Sequence, residues 1–226
     1  MSIILAIDLK NGRVVKAFAG LRINYRPLVI NSIDYSDPIF LIRKISKKLR
    51  LKKIYIADLD AIQNLGSNSS LISNILKSFK NINFLIDCGF SYPMSVRNFE
   101  NILKKKKISN YTIVLGTESM RKYNLNCFRS NNRLIISLDL IDKNSKWIDF
   151  LKLSKFRLDI IFMFLRNVGG RGVNIKKVRY LMKSLPKNNY FYAGGVKYFS
   201  DIKCLGNLGV ESVIVSTLVH QKYLAK

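Results

Sequence analysis

The sequence predicts an α/β chain folded as a single (β/α)8 TIM barrel over residues 1–226, with an internal half-barrel duplication. Three observations lead there. Eight short apolar runs recur along the chain, helical-looking segments lie between them, and the second half repeats the first in order.

The runs are IILAID (3–8), IYIAD (54–58), NFLID (83–87), TIVLG (112–116), LIISLD (134–139), DIIFMFL (159–165), YFYAG (190–194) and SVIVS (212–216). None alternates apolar with polar residues, so each is expected to be a strand buried on both faces, as in a parallel sheet. The intervening segments SDPIFLIRKISKKL (36–49), SLISNILKSF (70–79), SVRNFENILKKK (95–106), NIKKVRYLMKSL (174–185) and SDIKCLGNL (200–208) read as helices. After the seventh run two glycines make a bare turn, and Ser200 and Asp201 mark a capped helix start.

The duplication separates a barrel from an open doubly wound sheet, which would also alternate strand and helix. IYIADLDAIQNLGSN (54–68) aligns without gaps on IIFMFLRNVGGRGVN (160–174), and the same offset places FLIDCG (84–89) on YFYAGG (190–195). LGTES then falls on VSTLV, and AIDLKN on SLDLID. A fourfold βα unit used twice accounts for this order, with an insertion of about 25 residues after the first strand. That insertion, which takes in GLRINYRPLVIN (20–31), is expected to be a long loop.

In such a barrel chemistry gathers at the C-terminal strand ends. Strand one ends in Asp8 and strand five in Asp139, equivalent positions that face each other across the mouth. Two opposed carboxylates suit proton transfer, one as base and one as acid if burial raises its pKa; turn capping is the structural alternative for each. Strands three, four, seven and eight end in Gly89, Gly116–Thr117, Gly194–Gly195 and Ser216–Thr217. Bare amides and small hydroxyls are what a phosphate requires, and after strands seven and eight is the usual place for one. Repeated half a barrel away, the arrangement implies two phosphate sites and a long substrate phosphorylated at both ends. Tight βα turns would equally use glycine, and for Gly89 alone that reading is preferred. Arg22, Arg26, Arg166 and Arg171 lie in the loops after strands one and six, where they could clamp an anion. Trp147 is placed to stack on a flat heterocycle or to fill the core.

Composition removes other classes. With 48% hydrophobic residues the chain lies outside the disordered range. The net charge of +25 is mostly lysine spread over helix faces, alongside abundant Ile, Asn, Phe and Tyr, so compositional bias explains it and no nucleic-acid partner is expected. Cys88, Cys127 and Cys204 are scattered and His220 is the only histidine, which leaves little for a disulfide framework, a zinc site or a Ser/His/Asp triad. No secretory signal and no apolar run of membrane-spanning length is present. A cytoplasmic monomer acting on a phosphorylated small molecule, without membrane, metal or cofactor, is expected.

The segments AIDLKNGRVV, ADLDAI, LGTES, SLDL and AGGV resemble, over nearly the whole chain, the histidine-biosynthesis barrels, the ProFAR isomerase and its sister cyclase. The resemblance implies an Amadori rearrangement of an aminoaldose to an aminoketose without metal or cofactor, on a substrate with a phosphate at each end. It places the catalytic aspartates at Asp8, as base for the C2 proton, and Asp139, as acid for ring opening. Asp58 and Asp60 resemble the strand-two pair of that family and could touch the substrate, and Asp60 could equally cap the next turn. Departures are DCGFS after strand three, where glycines and an arginine are usual, FLRNVGGRG on strand six, STLVH on strand eight and the loop GLRINYRP. The first loop and NVGGRG look more like a branch of relatives in organisms that carry one-carbon units on methanopterin- and methanofuran-type coenzymes. Asp87 stands where glycine is expected, and a carboxylate there is unfavourable beside a phosphate.

Overall fold

The computed structural model describes residues 1–121, 125, 128, 134–140, 145–154 and 157–225. Eight parallel strands form a closed barrel: strand one (Ser2–Lys10), two (Lys53–Asp58), three (Asn83–Asp87), four (Tyr111–Gly116), five (Leu134–Asp139), six (Asp159–Met163), seven (Asn189–Ala193) and eight (Ser212–Val215). Each pairs with its sequence neighbour, and strand eight closes on strand one through Ser2 opposite Ser212 to Leu5 opposite Val215. The described helices that flank it are α1 (Pro38–Ser46), the short α2 (Leu59–Ile62), α3 (Ser69–Ser78), α4 (Pro93–Lys105), α5 (Ser145–Lys152), α6 (Ile175–Ser184), α7 (Phe199–Asn207) and α8 (Thr217–Tyr223). Among the described residues no helix is long and apolar enough to cross a membrane. Cys127 lies outside the described residues.

Alternation along each strand sorts the core into two layers. Ile7, Ile54, Ile56, Phe84, Ile86, Leu138, Ile160 and Tyr192 belong to the layer between strands and helices. Ile4, Tyr55, Ala57, Leu85, Val114, Ile135, Ile161, Met163, Phe191, Ala193 and Ile214 fill the barrel interior. Both faces are apolar, which is why the runs show no alternation in the sequence. Parity then decides what points inward at the top of each strand. Asp8 shares its face with Ile4, Asp87 with Leu85, Gly116 with Val114, Asp139 with Ile135, and Ser216 with Ile214.

The first insertion differs from the expected loop. Arg13–Lys16 turns back antiparallel on strand one, Arg26–Pro27 pairs with it, and Val29–Ile30 pairs with Ile33–Asp34. Two-residue strands carry too little pattern to be read from sequence. The fold of this segment sets Tyr25 against the interior layer and ends before Asp37, whose carboxylate accepts the Phe40 N–H and caps α1 ahead of Pro38. Strand six stops at Met163, because Leu165–Asn167 turns into a short 3₁₀ segment. Trp147 is core: it is buried and meets Phe150 edge to face.

Candidate active site

A cavity opens at the C-terminal end of the barrel, with an empty volume of about 820 Å³ including its mouth. Asp8, Asp87 and Asp139 line it from strands one, three and five, because all three have inward parity at the last turn of the pleat. Tyr55 lies between them and donates its hydroxyl to Asp87 Oδ2 at 3.1 Å. Gly116 supplies the space: a Cβ there would stand 3.1 Å from Asp139 Oδ2 and 3.3 Å from Asp87 Oδ2. The rim is made by Arg22, which reaches from the first loop to an ion pair with Glu118 after strand four.

Asp139 is held by its neighbours. The Ser137 hydroxyl donates to Oδ1 at 2.7 Å, the Glu118 N–H donates to Oδ2 at 3.0 Å, and the Thr117 hydroxyl lies 3.3 Å from Oδ2 while accepting the Asp139 N–H at 2.9 Å. Burial, with the charges of Glu118 and Asp87, still pushes its pKa to about 8. Burial raises Asp8 to about 6, with Arg22 pulling in the other direction. Asp87 is also raised to about 6 by burial, opposed by the Gly89 N–H that it accepts at 3.1 Å. Near neutral pH, Asp8 is therefore mostly ionised and Asp139 mostly protonated.

The raised value has a consequence for stability. Below the ordinary value of 3.8 both folded and unfolded chains hold the Asp139 proton, and between there and about 8 only the folded chain does, so stability falls as pH rises through this window. Asp139→Asn is expected to be more stable than the wild type at pH values above the window, by on the order of a few kcal/mol, and nearly equal to it below. Urea denaturation across the pH range measures this difference.

On the opposite side, Gly194 and Gly195 have φ of +99° and +88°. A Cβ on Gly194 would come within 2.3 Å of the Phe164 carbonyl oxygen, and one on Gly195 within 2.1 Å of the Gly172 oxygen. What presses on this turn is the chain's own backbone after strand six, tied by Gly172 N–H to Gly195 O at 2.8 Å. Both glycines nonetheless line the cavity together with Gly169, Gly170, Ser216 and Thr217. The equivalent turn half a barrel away is built differently. Gly89 is pressed against Ile62, 2.6 Å from a built Cβ to its Cα, and stands off the cavity wall, while Asp87 occupies the position equivalent to Ala193.

The sequence profile of the histidine biosynthesis protein family matches residues 2–225. The chain belongs to the histidine biosynthesis protein family. An uncharacterised protein of Methanocaldococcus jannaschii is 30% identical to it over 99% of this chain and 95% of its own length. Proteins named 1-(5-phosphoribosyl)-5-((5-phosphoribosylamino)methylideneamino) imidazole-4-carboxamide isomerase are similar as well. That of Methanosphaera stadtmanae is 25% identical over 98% of this chain and 94% of its own, and that of Clostridium kluyveri 28% identical over 100% and 96%. Neither the profile nor these relatives points to one-carbon coenzymes, and the expectation of that branch finds no support.

Set against the residues singled out in the sequence, this member of the histidine biosynthesis family brings Asp8, Asp139, Arg22, Gly194, Gly195, Ser216 and Thr217 around one cavity. Gly116 and Thr117 stand behind the wall, against the Asp139 carboxylate. Gly89, Asp58 and Arg166 do not line it. Asp58 shares the parity of Ile54 and Ile56 and faces the helix layer. There its oxygens accept the Asn68 N–H at 2.7 Å, the Asn68 amide at 2.7 Å and the Ala61 N–H at 3.2 Å, so it caps α2 and fastens the turn after it. Asp58→Ala takes this acceptor from the Asn68 and Ala61 N–H groups and leaves the Asn68 amide with Asp60 alone, and is expected to cost about 2–4 kcal/mol in urea unfolding. Arg166 is exposed on the loop after strand six. Tyr55, Glu118 and the Gly169–Gly170 pair were not singled out. A hydroxyl inside the apolar run IYIAD was the one signal for Tyr55.

Proposed function

We propose that the protein is an aldose–ketose isomerase of the Amadori type, acting without a cofactor on a phosphorylated aminoaldose. The observation that carries the reading is that Asp8 and Asp139, from opposite strands, line one cavity with pKa values of about 6 and about 8. A base must be unprotonated and an acid protonated at the same pH, and these values meet both needs near neutrality. Asp139 gives its proton to the ring oxygen as the nitrogen lone pair forms a C=N bond and the C1–O bond breaks, leaving an open-chain iminium. Asp8 takes the C2 proton, the electron pair of that bond forms the C1–C2 double bond while the C=N pair returns to nitrogen, and the resulting enaminol gains a proton at C1 as its C2 hydroxyl loses one, giving the aminoketose. The glycine and hydroxyl wall of Gly169, Gly170, Gly194, Gly195, Ser216 and Thr217 offers amides and hydroxyls for a phosphate at one end. Names of the relatives support the reaction class. The reading is tested by incubating the protein with the aminoaldose that those relatives are named for, and with a singly phosphorylated N-aryl ribosylamine, and following the ketose by NMR. Conversion of either supports it; conversion of neither removes it.

A further inference from the structure

We infer that Asp87, with Tyr55, makes the end of the cavity remote from the glycine wall a pocket for the positively charged amino group of a singly phosphorylated substrate, in place of a second phosphate. The inference rests on the reading above that the glycine wall takes one phosphate. Duplication of the half-barrel predicts a second anion cradle after strands three and four, and three described positions of it differ from the first. Where strand seven ends inward in Ala193, strand three ends inward in Asp87. Where Gly195 lines the cavity, its counterpart Gly89 is packed against Ile62 and turned off the wall, and its N–H is spent on Asp87 Oδ1 at 3.1 Å. Where Thr217 lines the cavity, the hydroxyl of its counterpart Thr117 is engaged with Asp139.

What remains at this end accepts hydrogen bonds and repels anions. Asp87, Asp139 and Glu118 gather there, and among the described residues the arginine that lines the cavity, Arg22, is already paired with Glu118 and lies near Asp8. A phosphate beside Asp87 and Glu118 would meet like charge in a partly desolvated pocket, whereas an ammonium would find charge-assisted acceptors. Tyr55 fixes one Asp87 oxygen by its hydroxyl and walls the pocket with its ring.

The test is isothermal titration of the wild-type protein with inorganic phosphate, glucose 6-phosphate, glucosamine 6-phosphate and fructose 1,6-bisphosphate, repeated on Asp87→Asn and on Asp87→Ala, the residue found at the equivalent Ala193. Glucosamine 6-phosphate is expected to bind about tenfold more tightly than glucose 6-phosphate, the scale of one hydrogen bond to a charged group, with the bisphosphate no tighter than glucose 6-phosphate. Both Asp87 variants are expected to lose the preference for the amine and to gain affinity for the bisphosphate, while inorganic phosphate binds as before. A wild-type protein that prefers the bisphosphate, or an amine preference that survives in a folded Asp87 variant, overturns the inference while leaving the phosphate wall standing. Absence of binding by all four compounds, inorganic phosphate included, overturns the phosphate wall and this inference together.

Discussion

Asp8→Asn and Asp139→Asn are each expected to lower kcat by about 10²- to 10⁴-fold with the fold intact, the usual worth of a positioned acid or base. Asparagine keeps the size and most of the hydrogen bonding of aspartate but cannot exchange a proton on the time scale of turnover. At Asp139 the amide oxygen can accept the Glu118 N–H while the amide nitrogen donates to the Ser137 hydroxyl, which turns to accept it, so circular dichroism should match that of the wild type near neutral pH and the urea midpoint should lie at or above it, as the linkage to pH requires. The same assignment fixes the pH profile. Activity as kcat/KM should rise as Asp8 ionises near 6, fall as Asp139 loses its proton near 8, and peak between them. Asp8→Asn should remove the acidic limb and Asp139→Asn the alkaline one, measured on the residual rate. Because the two groups share one cavity, the two substitutions together should cost much less than the product of the single losses.

Gly195→Ala is expected to be the most damaging single-methyl change in the barrel, with a loss of at least about 3 kcal/mol and a strong drop in soluble yield. Two penalties coincide there. The residue has φ of +88°, which an L side chain rarely adopts, and its new Cβ would stand 2.1 Å from the Gly172 carbonyl oxygen. That oxygen belongs to backbone and is tied in place by the Gly172–Gly195 hydrogen bond, so no flexible side chain can move aside. Gly172→Ala offers the control: φ there is +99°, but nothing lies within 4 Å of a built Cβ, so only the backbone penalty of about 1 kcal/mol applies. Thermal melting of the two variants separates the crowding from the dihedral cost.

How much of this could be read from the sequence follows from the physics of a barrel. The eight strands were legible because burial on both faces leaves unbroken apolar runs, and Asp8 and Asp139 were legible because each closes such a run at matching places in the two halves. The same property hid which of two adjacent residues points inward. Asp58 and Asp87 both end a strand, yet one faces the helices and caps α2 while the other faces the cavity, and only the register of the closed sheet tells them apart. Gly194 and Gly195 were recognisable as a bare turn, but the carbonyls that press on them, of Phe164 and Gly172, come from the segment after strand six, which no local pattern contains. Arg22 was marked as an anion clamp, while its partner Glu118 sits 96 positions away on the loop after strand four. The hairpins of the first insertion were too short to announce themselves.

The most direct measurement is the release of tritium from C2 of an aminoaldose phosphate labelled at that carbon, followed for the wild type and for the two asparagine variants. The wild type should release the label into water at a rate comparable to ketose formation, and both Asp8→Asn and Asp139→Asn should release it at least about 10²-fold more slowly. Release by the variants at the wild-type rate would show that the proton moves without these two carboxyl groups, and would contradict their role across the cavity.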